Sequence, residues 1–282
     1  MSVSNYKYLQ PQSQWKPDFN NIDQTIVTIK IGSEAKDFHI HRELLCKASP
    51  YFESAFQGRF VEAQDRAITL DDVSTRTFEI VQRWLYSGVL VLPSDSDAYL
   101  HPKATDPRAK FCVDCEKLLS FDGMTHRNED LLDIFVLADK YNLPLLRRET
   151  MITWQHLDEI THTCSDIQSI CKIHDKLPAS SVLCAYVADM YVCHWDPNFD
   201  DCPTCQSEDL ACFTAENLPR SFMFKVMTKL HHNAANNVLA PGKIDWCEYH
   251  EHDGEEEMEA CRAQRKLEGR IGADEYMDGM DT

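Results

Sequence analysis

Cysteine and histidine occur at metal-ligand spacing in two places in the C-terminal half of the chain. Cys202 and Cys205 form a Cys-x-x-Cys pair in a polar loop that follows Asp196-Pro197-Asn198. Cys247 and His250 repeat the same spacing with one histidine. A tetrahedral zinc ion needs four such donors, and each pair supplies two of them. The sequence therefore predicts a structural zinc site made by Cys202, Cys205, Cys247 and His250.

Other side chains compete for the same ion. The competing ligands are Cys193, His194, Cys212 and His252. A further Cys-x-x-Cys pair, Cys112 and Cys115, is a candidate for a separate site. The alternative is that the 12 cysteines stay reduced and unliganded, because the N-terminus carries no secretory signal that would lead to an oxidising compartment.

Catalytic motifs are missing from the sequence. It contains no GxGxxG or GxxxxGKS/T phosphate-binding loop, no GxSxG nucleophile motif and no HExxH zinc motif. We therefore expect no catalytic residues and no enzyme activity. The alternative is a zinc-dependent enzyme built on the cysteine and histidine loops, because the members of a catalytic Cys/His pair are adjacent only in space.

The elements that position a functional surface begin with a predicted strand pair. Val27, Ile29 and Ile31 alternate with polar residues, which is typical of a half-buried strand. Gly32-Ser33 indicates a turn, and residues 35–40 predict the returning strand of a hairpin.

The apolar spacing then becomes helical. Ser49 predicts an N-cap with Pro50 in the first helical position, where no backbone N–H is needed. A short strand over 67–70 follows. Ser74 predicts the cap of a helix that ends at Gly88.

The middle of the chain predicts a last strand, an insertion and two helices. Residues 89–92 predict the last strand of the sheet. Residues 93–128 contain three prolines and predict an inserted loop, either without structure or with a short helix at 115–119. Asn128 predicts the cap of a long helix, and Pro144 begins the next one.

This order of elements resembles the BTB/POZ domain, over about half the chain. The residues that carry the resemblance are Phe38-His39-Ile40-His41, Leu44-Leu45, Ser49-Pro50-Tyr51-Phe52, Ala55-Phe56, Ile68, Leu70, Asp72, the stretch 78–88 and the stretch 132–145. It implies an α/β (α+β) BTB/POZ fold, in which a small, mostly antiparallel sheet is flanked by helices and followed by an all-helical extension. That extension resembles the BACK-type helices of many such proteins, and the chain is similar to fungal BTB proteins with extensions that contain cysteine and histidine.

These patterns also predict the domain boundaries. The aromatic side chains of Trp15 and Phe19 are a large apolar load for a free N-terminal arm, which favours partial docking. The predicted organisation is a flexible or partly docked arm at 1–22, a BTB/POZ domain at 23–157 with the inserted loop at 93–128, a helical BACK-like extension at 158–245 and an acidic, largely disordered tail at 246–282.

The resemblance further implies a protein partner. Phe60-x-Glu62 resembles the hydrophobic-x-acid element that cullin-binding BTB domains place before the third strand, where the apolar side chain fills a pocket and the acid pairs with a base. The alternative is that Phe60 caps the domain's own core and that Glu62 is solvated. The resemblance also implies self-association or heterotypic binding through the BTB surface.

Composition limits the partners. The formal net charge is −18, and residues 251–282 hold 11 acidic and 4 basic residues. Such a chain repels nucleic acid, and no run of about 18 apolar residues predicts a membrane span. We therefore expect a cytoplasmic or nuclear protein-interaction module, acting as a scaffold or as a substrate adaptor for a cullin-type ubiquitin ligase. The alternative is a nuclear scaffold or transcription co-regulator without ubiquitin chemistry.

Overall fold

A computed structural model of the protein describes residues 15–19, 22–92, 109–112, 117–161, 165, 167–194, 218–235 and 245–267. The chain divides into two compact units. The first unit comprises Met1–Asp97 and His126–Trp154, and the second unit comprises Ala98–Thr125 and Gln155–Thr282. Each unit is therefore assembled from two separate stretches of sequence.

The described part of the chain contains five strands, ten α-helices and one 3-10 helix. The strands are β1 (Ile26–Ile31), β2 (Lys36–His41), β3 (Ala67–Leu70), β4 (Ala109–Cys112) and β5 (Lys117–Phe121). The α-helices are α1 (Arg42–Ala48), α2 (Pro50–Gln57), α3 (Val61–Asp65), α4 (Thr75–Ser87), α5 (Asp122–Lys140), α6 (Pro144–Thr161), α7 (Ile167–Lys176), α8 (Val182–His194), α9 (Arg220–Ala235) and α10 (Glu255–Leu267). The 3-10 helix is Trp246–Tyr249.

A three-stranded sheet in the order β2-β1-β3 lies in the first unit. β1 pairs antiparallel with β2, which confirms the predicted hairpin, and parallel with β3. Val27, Ile29 and Ile31 of β1 are buried, because alternate side chains of a strand point to the same face. With helices around this sheet and a helical extension after it, the predicted fold class is confirmed, although one of the two strand pairs is parallel.

Serine caps begin two helices of the first unit as predicted. Ser49 Oγ accepts a hydrogen bond from Phe52 N at 3.1 Å, and Pro50 takes the first position of α2. The same hydroxyl donates to the carbonyl of Tyr141 at 2.6 Å, which joins α2 to the end of α5. Ser74 caps α4 in the same way.

The N-terminal arm is docked at residues 15–19. The Trp15 ring stacks on that of Trp84 with centroids 5.5 Å apart, and its Nε1 donates to the carbonyl of Leu85 at 3.0 Å. Gly88 ends α4 with φ +70°, and a Cβ on it would lie 2.6 Å from the Trp15 carbonyl oxygen. Gly88 is therefore required both by the left-handed turn and by the close approach of the arm.

Helices α5 and α6 complete the core of the first unit. Trp84 is fully buried, and its Nε1 donates to Glu149 Oε2 on α6 at 2.7 Å. Arg76 on α4 donates twice to the Asp130 carboxylate on α5, each time at 2.7 Å. Residues more than 50 positions apart thus close one core, as the resemblance implies.

The inserted segment and its flanks differ from the prediction in three ways. Within the described part of the chain, residues 89–92 are not assigned to a strand, and Leu90 and Leu92 are buried whereas Val89 and Val91 are exposed. The short helix predicted at 115–119 is wrong, because β4 and β5 pair as an antiparallel hairpin, and cross-strand pairing overrides local helix propensity. α5 begins at Asp122 instead of the predicted cap Asn128, because the helix extends through polar residues that carry no apolar period.

The second unit is helical apart from β4 and β5 in its described part. α8 is apolar on every side and is buried along most of its length. Within the tail at 246–282, predicted to be largely disordered, Trp246–Tyr249 and Glu255–Leu267 are helical. Specific contacts, which amino-acid composition does not predict, stabilise these helical segments. One of them is an ion pair between Arg262 and Asp245. Among the described helices, none combines the length and apolar character that crossing a bilayer requires.

Candidate metal centre and partner-binding surface

Two cysteines and two histidines of the second unit converge on one point. Cys247, His250, His252 and Cys261 each offer one donor atom, and all four atoms lie within 4.8 Å of one another. Cys247 lies on the 3-10 helix, the two histidines follow it closely in sequence, and Cys261 lies on α10. Cys247 and His250 are buried, whereas Cys261 is partly exposed.

The sequence analysis named part of this cluster. The predicted Cys-x-x-His pair is present, and His252, predicted as a competing ligand, lies beside it. Cys261 was missed because it lies on another element, nine positions beyond His252, and only the fold of α10 brings it close. Cys202 and Cys205 lie outside the described residues, so their role stays a prediction. Cys193, another competing ligand, lies on α8 and is not a member of the cluster.

Local backbone geometry shapes the loop that carries three of the ligands. Asp245 caps the 3-10 helix, because its Oδ1 accepts a hydrogen bond from Cys247 N at 3.0 Å. Glu251 has φ +51°, which is uncommon for a residue with a side chain, and it turns the chain between the two histidines. The rings of His250 and His252 lie nearly perpendicular, with centroids 5.5 Å apart.

The orientation of His250 is fixed by Gln155 on α6. Gln155 Nε2 donates to the carbonyl of Trp246 at 3.1 Å, so its Oε1 must face the other way. That oxygen lies 2.6 Å from His250 Nε2, which therefore carries the proton of the neutral ring. His250 Nδ1 is left without a proton and lies 3.4 Å from Cys261 Sγ. Gln155 and His250 are both buried, at 2% and 1% exposure, which keeps this arrangement away from solvent.

The side chain of His252 is also enclosed. It is 4% exposed, and neither of its buried ring nitrogens has a hydrogen-bond partner among the described residues; Nδ1 lies 3.7 Å from a Glu257 carboxylate oxygen. A hydrogen bond with Cys261, together with burial, raises the pKa of the Cys247 thiol to about 12. Cys247 is therefore a protonated thiol at neutral pH.

Buried polar contacts hold the ligand loop against the helices of the second unit. Tyr249 Oη donates to Asp189 Oδ2 on α8 at 2.7 Å, and Lys229 on α9 forms an ion pair with the same carboxylate. Tyr186 contacts the Tyr249 ring edge-on, with centroids 5.3 Å apart, and donates to Asp158 Oδ2 at 2.6 Å. The ligand loop is thus tied to α6, α8 and α9.

The predicted partner-binding residues lie in the first unit, where α2 meets α3. Phe60 is the N-cap residue of α3, and its side chain is 60% exposed; the neighbouring Val61 is 65% exposed. None of the five residues of α3 is buried. The alternative in which Phe60 caps the domain's own core therefore does not apply.

Glu62 follows in the first turn of α3 and is half-buried. Among the described residues, its carboxylate has neither a hydrogen bond nor an ion pair. An acidic side chain in the first turn is favoured by the positive end of the helix. Phe60 and Glu62 thus place an exposed apolar ring and a carboxylate two residues apart at the start of α3.

Comparison with known families addresses the same region. The model of the BTB/POZ domain matches residues 18–105. This part of the chain is a BTB/POZ domain. The match covers the three-stranded sheet and the helices α1 to α4, which include the exposed α3. The cysteine–histidine cluster lies outside the matched residues.

Relatives of the BTB/POZ domain come from animals and plants. The chain is 26% identical over 125 residues to "Kelch repeat and BTB domain-containing protein 4" of Mus musculus, with 44% of this chain and 23% of the relative covered. It is 35% identical over 69 residues to "Kelch repeat and BTB domain-containing protein 7" of Homo sapiens, with 23% of this chain and 10% of the relative covered. It is 27% identical over 144 residues to "BTB/POZ and MATH domain-containing protein 4" of Arabidopsis thaliana, with 45% and 30% covered. The chain therefore spans less than a third of the length of these relatives.

Proposed function

We propose that this protein is a substrate adaptor that binds a cullin-type ubiquitin-ligase scaffold through Phe60 and Glu62 of its BTB/POZ domain. BTB/POZ domains are protein-interaction modules, and that coarser role rests on the family match. The observation that supports the finer role is the 60% exposure of the Phe60 ring beside the Glu62 carboxylate, which has no ion pair among the described residues. In this proposal the second unit or the inserted segment holds the client protein.

The chemistry of this surface suits a scaffold with an apolar pocket beside a basic residue. Burying an exposed phenylalanine ring in a partner's pocket contributes roughly 1.5–3 kcal/mol. A carboxylate next to such an anchor adds orientation, and the net charge of −18 steers the protein towards a basic surface. Exposed aromatic anchors of this type are common among the few residues that dominate an interface.

A titration of the purified full chain with a purified cullin scaffold tests the proposal. We expect the Phe60→Ala/Glu62→Ala double variant to bind about 10- to 100-fold more weakly than the wild type, because it loses both the anchor and the paired acid. Phe224→Ala is the matched control, because Phe224 is also exposed, at 73%, but lies on α9 in the second unit. Equal affinity of wild type and double variant, or no binding by the wild type, contradicts the proposal.

A further inference from the structure

We propose that Cys247, His250, His252 and Cys261 together bind one zinc ion, which fastens the 3-10 helix and α10 to the helices of the second unit. The ligand set is different from the one that spacing alone predicts, because His252 and Cys261 take the places of Cys202 and Cys205. The inference is independent of cullin binding, since the BTB/POZ match ends at residue 105.

The donor atoms select the metal. Two thiolates and two imidazoles are the soft and borderline ligands that structural zinc sites use, whereas calcium and magnesium require oxygen donors. Two thiolates also balance the charge of a divalent ion. The metal cluster is then neutral overall, so no unpaired charge is buried. All four coordination positions are filled by protein, which is typical of a structural zinc and leaves no position for a substrate.

The distances leave little to rearrange. Donor atoms around a tetrahedral zinc ion lie about 3.3–3.8 Å apart, given Zn–S and Zn–N bonds of about 2.3 and 2.0–2.1 Å. The His250 Nδ1 to Cys261 Sγ distance of 3.4 Å already falls in that interval. The largest separation among the four donors is below 4.8 Å, so rotamer adjustments of about 1 Å bring the others into place.

Gln155 acts on the site through His250. A metal-bound histidine generally donates its other ring N–H to a carbonyl or carboxylate oxygen, which fixes the tautomer and the ring plane. The 2.6 Å contact between His250 Nε2 and Gln155 Oε1 is of this kind, and it directs the lone pair of Nδ1 towards the cluster. Gln155 is held in turn by the Trp246 carbonyl, so it is a positioning residue for the metal site.

His252 supplies the independent observation that points to a ligand. Its side chain is 4% exposed, and in the described part of the chain neither buried ring nitrogen has a hydrogen-bond partner. Burial of an unsatisfied imidazole is unfavourable, since the ring loses its contacts with water and gains none in return. Coordination of zinc by one nitrogen removes most of that penalty, because the lone pair then has a partner.

Metal analysis of the full-length protein, purified from zinc-supplemented cells, tests the proposal. We expect about one zinc per chain for the wild type and less than about one fifth of that for Cys261→Ser, because a site with three ligands loses most of its affinity. The matched control is Cys202→Ser/Cys205→Ser, which also removes thiols but should keep one zinc. We expect Gln155→Leu to keep the stoichiometry in excess zinc and to weaken the affinity about 10- to 100-fold.

A second variant guards against simple misfolding. His252→Cys keeps four ligands, so it should retain one zinc, and its cobalt-loaded form should gain thiolate-to-cobalt charge-transfer absorption over the wild type. Three results overturn the proposal: wild-type protein that binds no zinc, zinc lost in the Cys202→Ser/Cys205→Ser variant, or a Cys247–Cys261 disulfide found by mass spectrometry of the protein as isolated.

Discussion

Stacked aromatic rings join distant parts of the chain in the first unit, next to the buried Trp84–Glu149 hydrogen bond, whereas side-chain hydrogen bonds of Gln155 and Asp158 do so in the second unit. Phe52, Trp84 and Tyr141 make ring contacts with residues far along the chain, and a few capping bonds fix the ends of the helices. In the second unit, Asp158 and Gln155 are buried and bonded to other side chains. The same chain therefore uses two means of holding helices together.

The difference has an energetic consequence. Apolar burial is non-directional and scales with area, so a BTB/POZ core tolerates small shifts of its helices. A buried hydrogen bond contributes only about 1 kcal/mol net, but losing one partner costs the full desolvation of the other. We therefore expect the second unit to respond more strongly to pH and to metal, and the first unit to respond more strongly to loss of ring volume.

The largest effect should come from the core of the first unit. We expect Trp84→Ala to lower the free energy of unfolding by about 3–5 kcal/mol, because it leaves a cavity and removes the ring on which Trp15 stacks. Trp84→Phe keeps a ring and loses mainly the donor to Glu149, so about 1–3 kcal/mol is expected. Urea unfolding measures both; equal effects of the two variants would show that ring volume is not what matters.

The second unit should show a pH dependence of its own. Burial raises the pKa of Asp158 to about 8, so the folded protein keeps a proton on this carboxyl that the unfolded chain releases above about pH 4. The stability that this group contributes is therefore complete below pH 4 and is lost as the pH rises towards 8, by up to about 1.4 kcal/mol per pH unit. We expect Asp158→Asn to match the wild type near pH 4 and to exceed it at pH 8, in urea unfolding at each pH.

The first unit offers a control of opposite sign. A hydrogen bond from Lys140 lowers the pKa of the exposed Asp72 carboxyl, and the Tyr141 hydroxyl also donates to it. The stability from Asp72 is therefore present at neutral pH and is lost on acidification, and Asp72→Asn should weaken the fold more at pH 7 than at pH 3. If both variants shift stability in the same direction with pH, the assignment of Asp158 as a neutral buried acid is wrong.

A pair of glycines tests the docked arm. Gly88 and Gly32 both have positive φ, +70° and +71°, so alanine is strained at each. Only Gly88 would also bring its Cβ within 2.6 Å of a backbone oxygen, that of Trp15; the nearest atom to a Cβ at Gly32 lies at 3.5 Å. We expect Gly32→Ala to cost about 1 kcal/mol and Gly88→Ala about 1–2 kcal/mol more. Equal losses in thermal unfolding would mean that the arm does not approach α4 this closely.

The smallest effect on stability should come from the partner-binding surface. Phe60 is mostly exposed, so Phe60→Ala should change the free energy of unfolding by less than about 0.5 kcal/mol. Differential scanning calorimetry measures this directly. A loss of more than about 1 kcal/mol would assign the ring to the fold of the BTB/POZ domain and would remove it from the proposed cullin contact.

The sequence predicted the first unit well because its signals are local. Ser49 and Ser74 cap helices at the predicted positions, and the period-2 pattern of β1 defines its buried face. The parallel β1–β3 pair was not foreseen, because pairing direction depends on the path of the chain between strands. Buried and exposed side chains alternate over residues 89–92 as they do in a strand. Such alternation indicates which side chains are buried, but it does not determine whether the backbone belongs to a sheet.

The second unit was predicted less completely, because its contacts join residues that are distant in sequence. Gln155 lies 95 positions from His250, and no spacing rule connects them. α10 is acidic and has a glycine before it, which favours a prediction of disorder, but Arg262 and Cys261 anchor it through partners on other elements. Cys247 and His250 of the cluster were predicted from their Cys-x-x-His spacing, and His252 was predicted as a competing ligand. Cys261 could be recognised only from the fold.

The discontinuous first unit sets an order of events on the ribosome. Residues 1–97 emerge during synthesis long before the stretch 126–154 that completes their core. Roughly 60 residues separate Asp97, where the first stretch ends, from Trp154, where the second stretch ends. At a synthesis rate of about 5–20 residues per second, they take about 3–12 s to appear. For that interval the nascent strands and the apolar face of α4 have no closing helices, so the apolar surface of residues 1–97, about a third of the chain, stays uncovered until those helices appear.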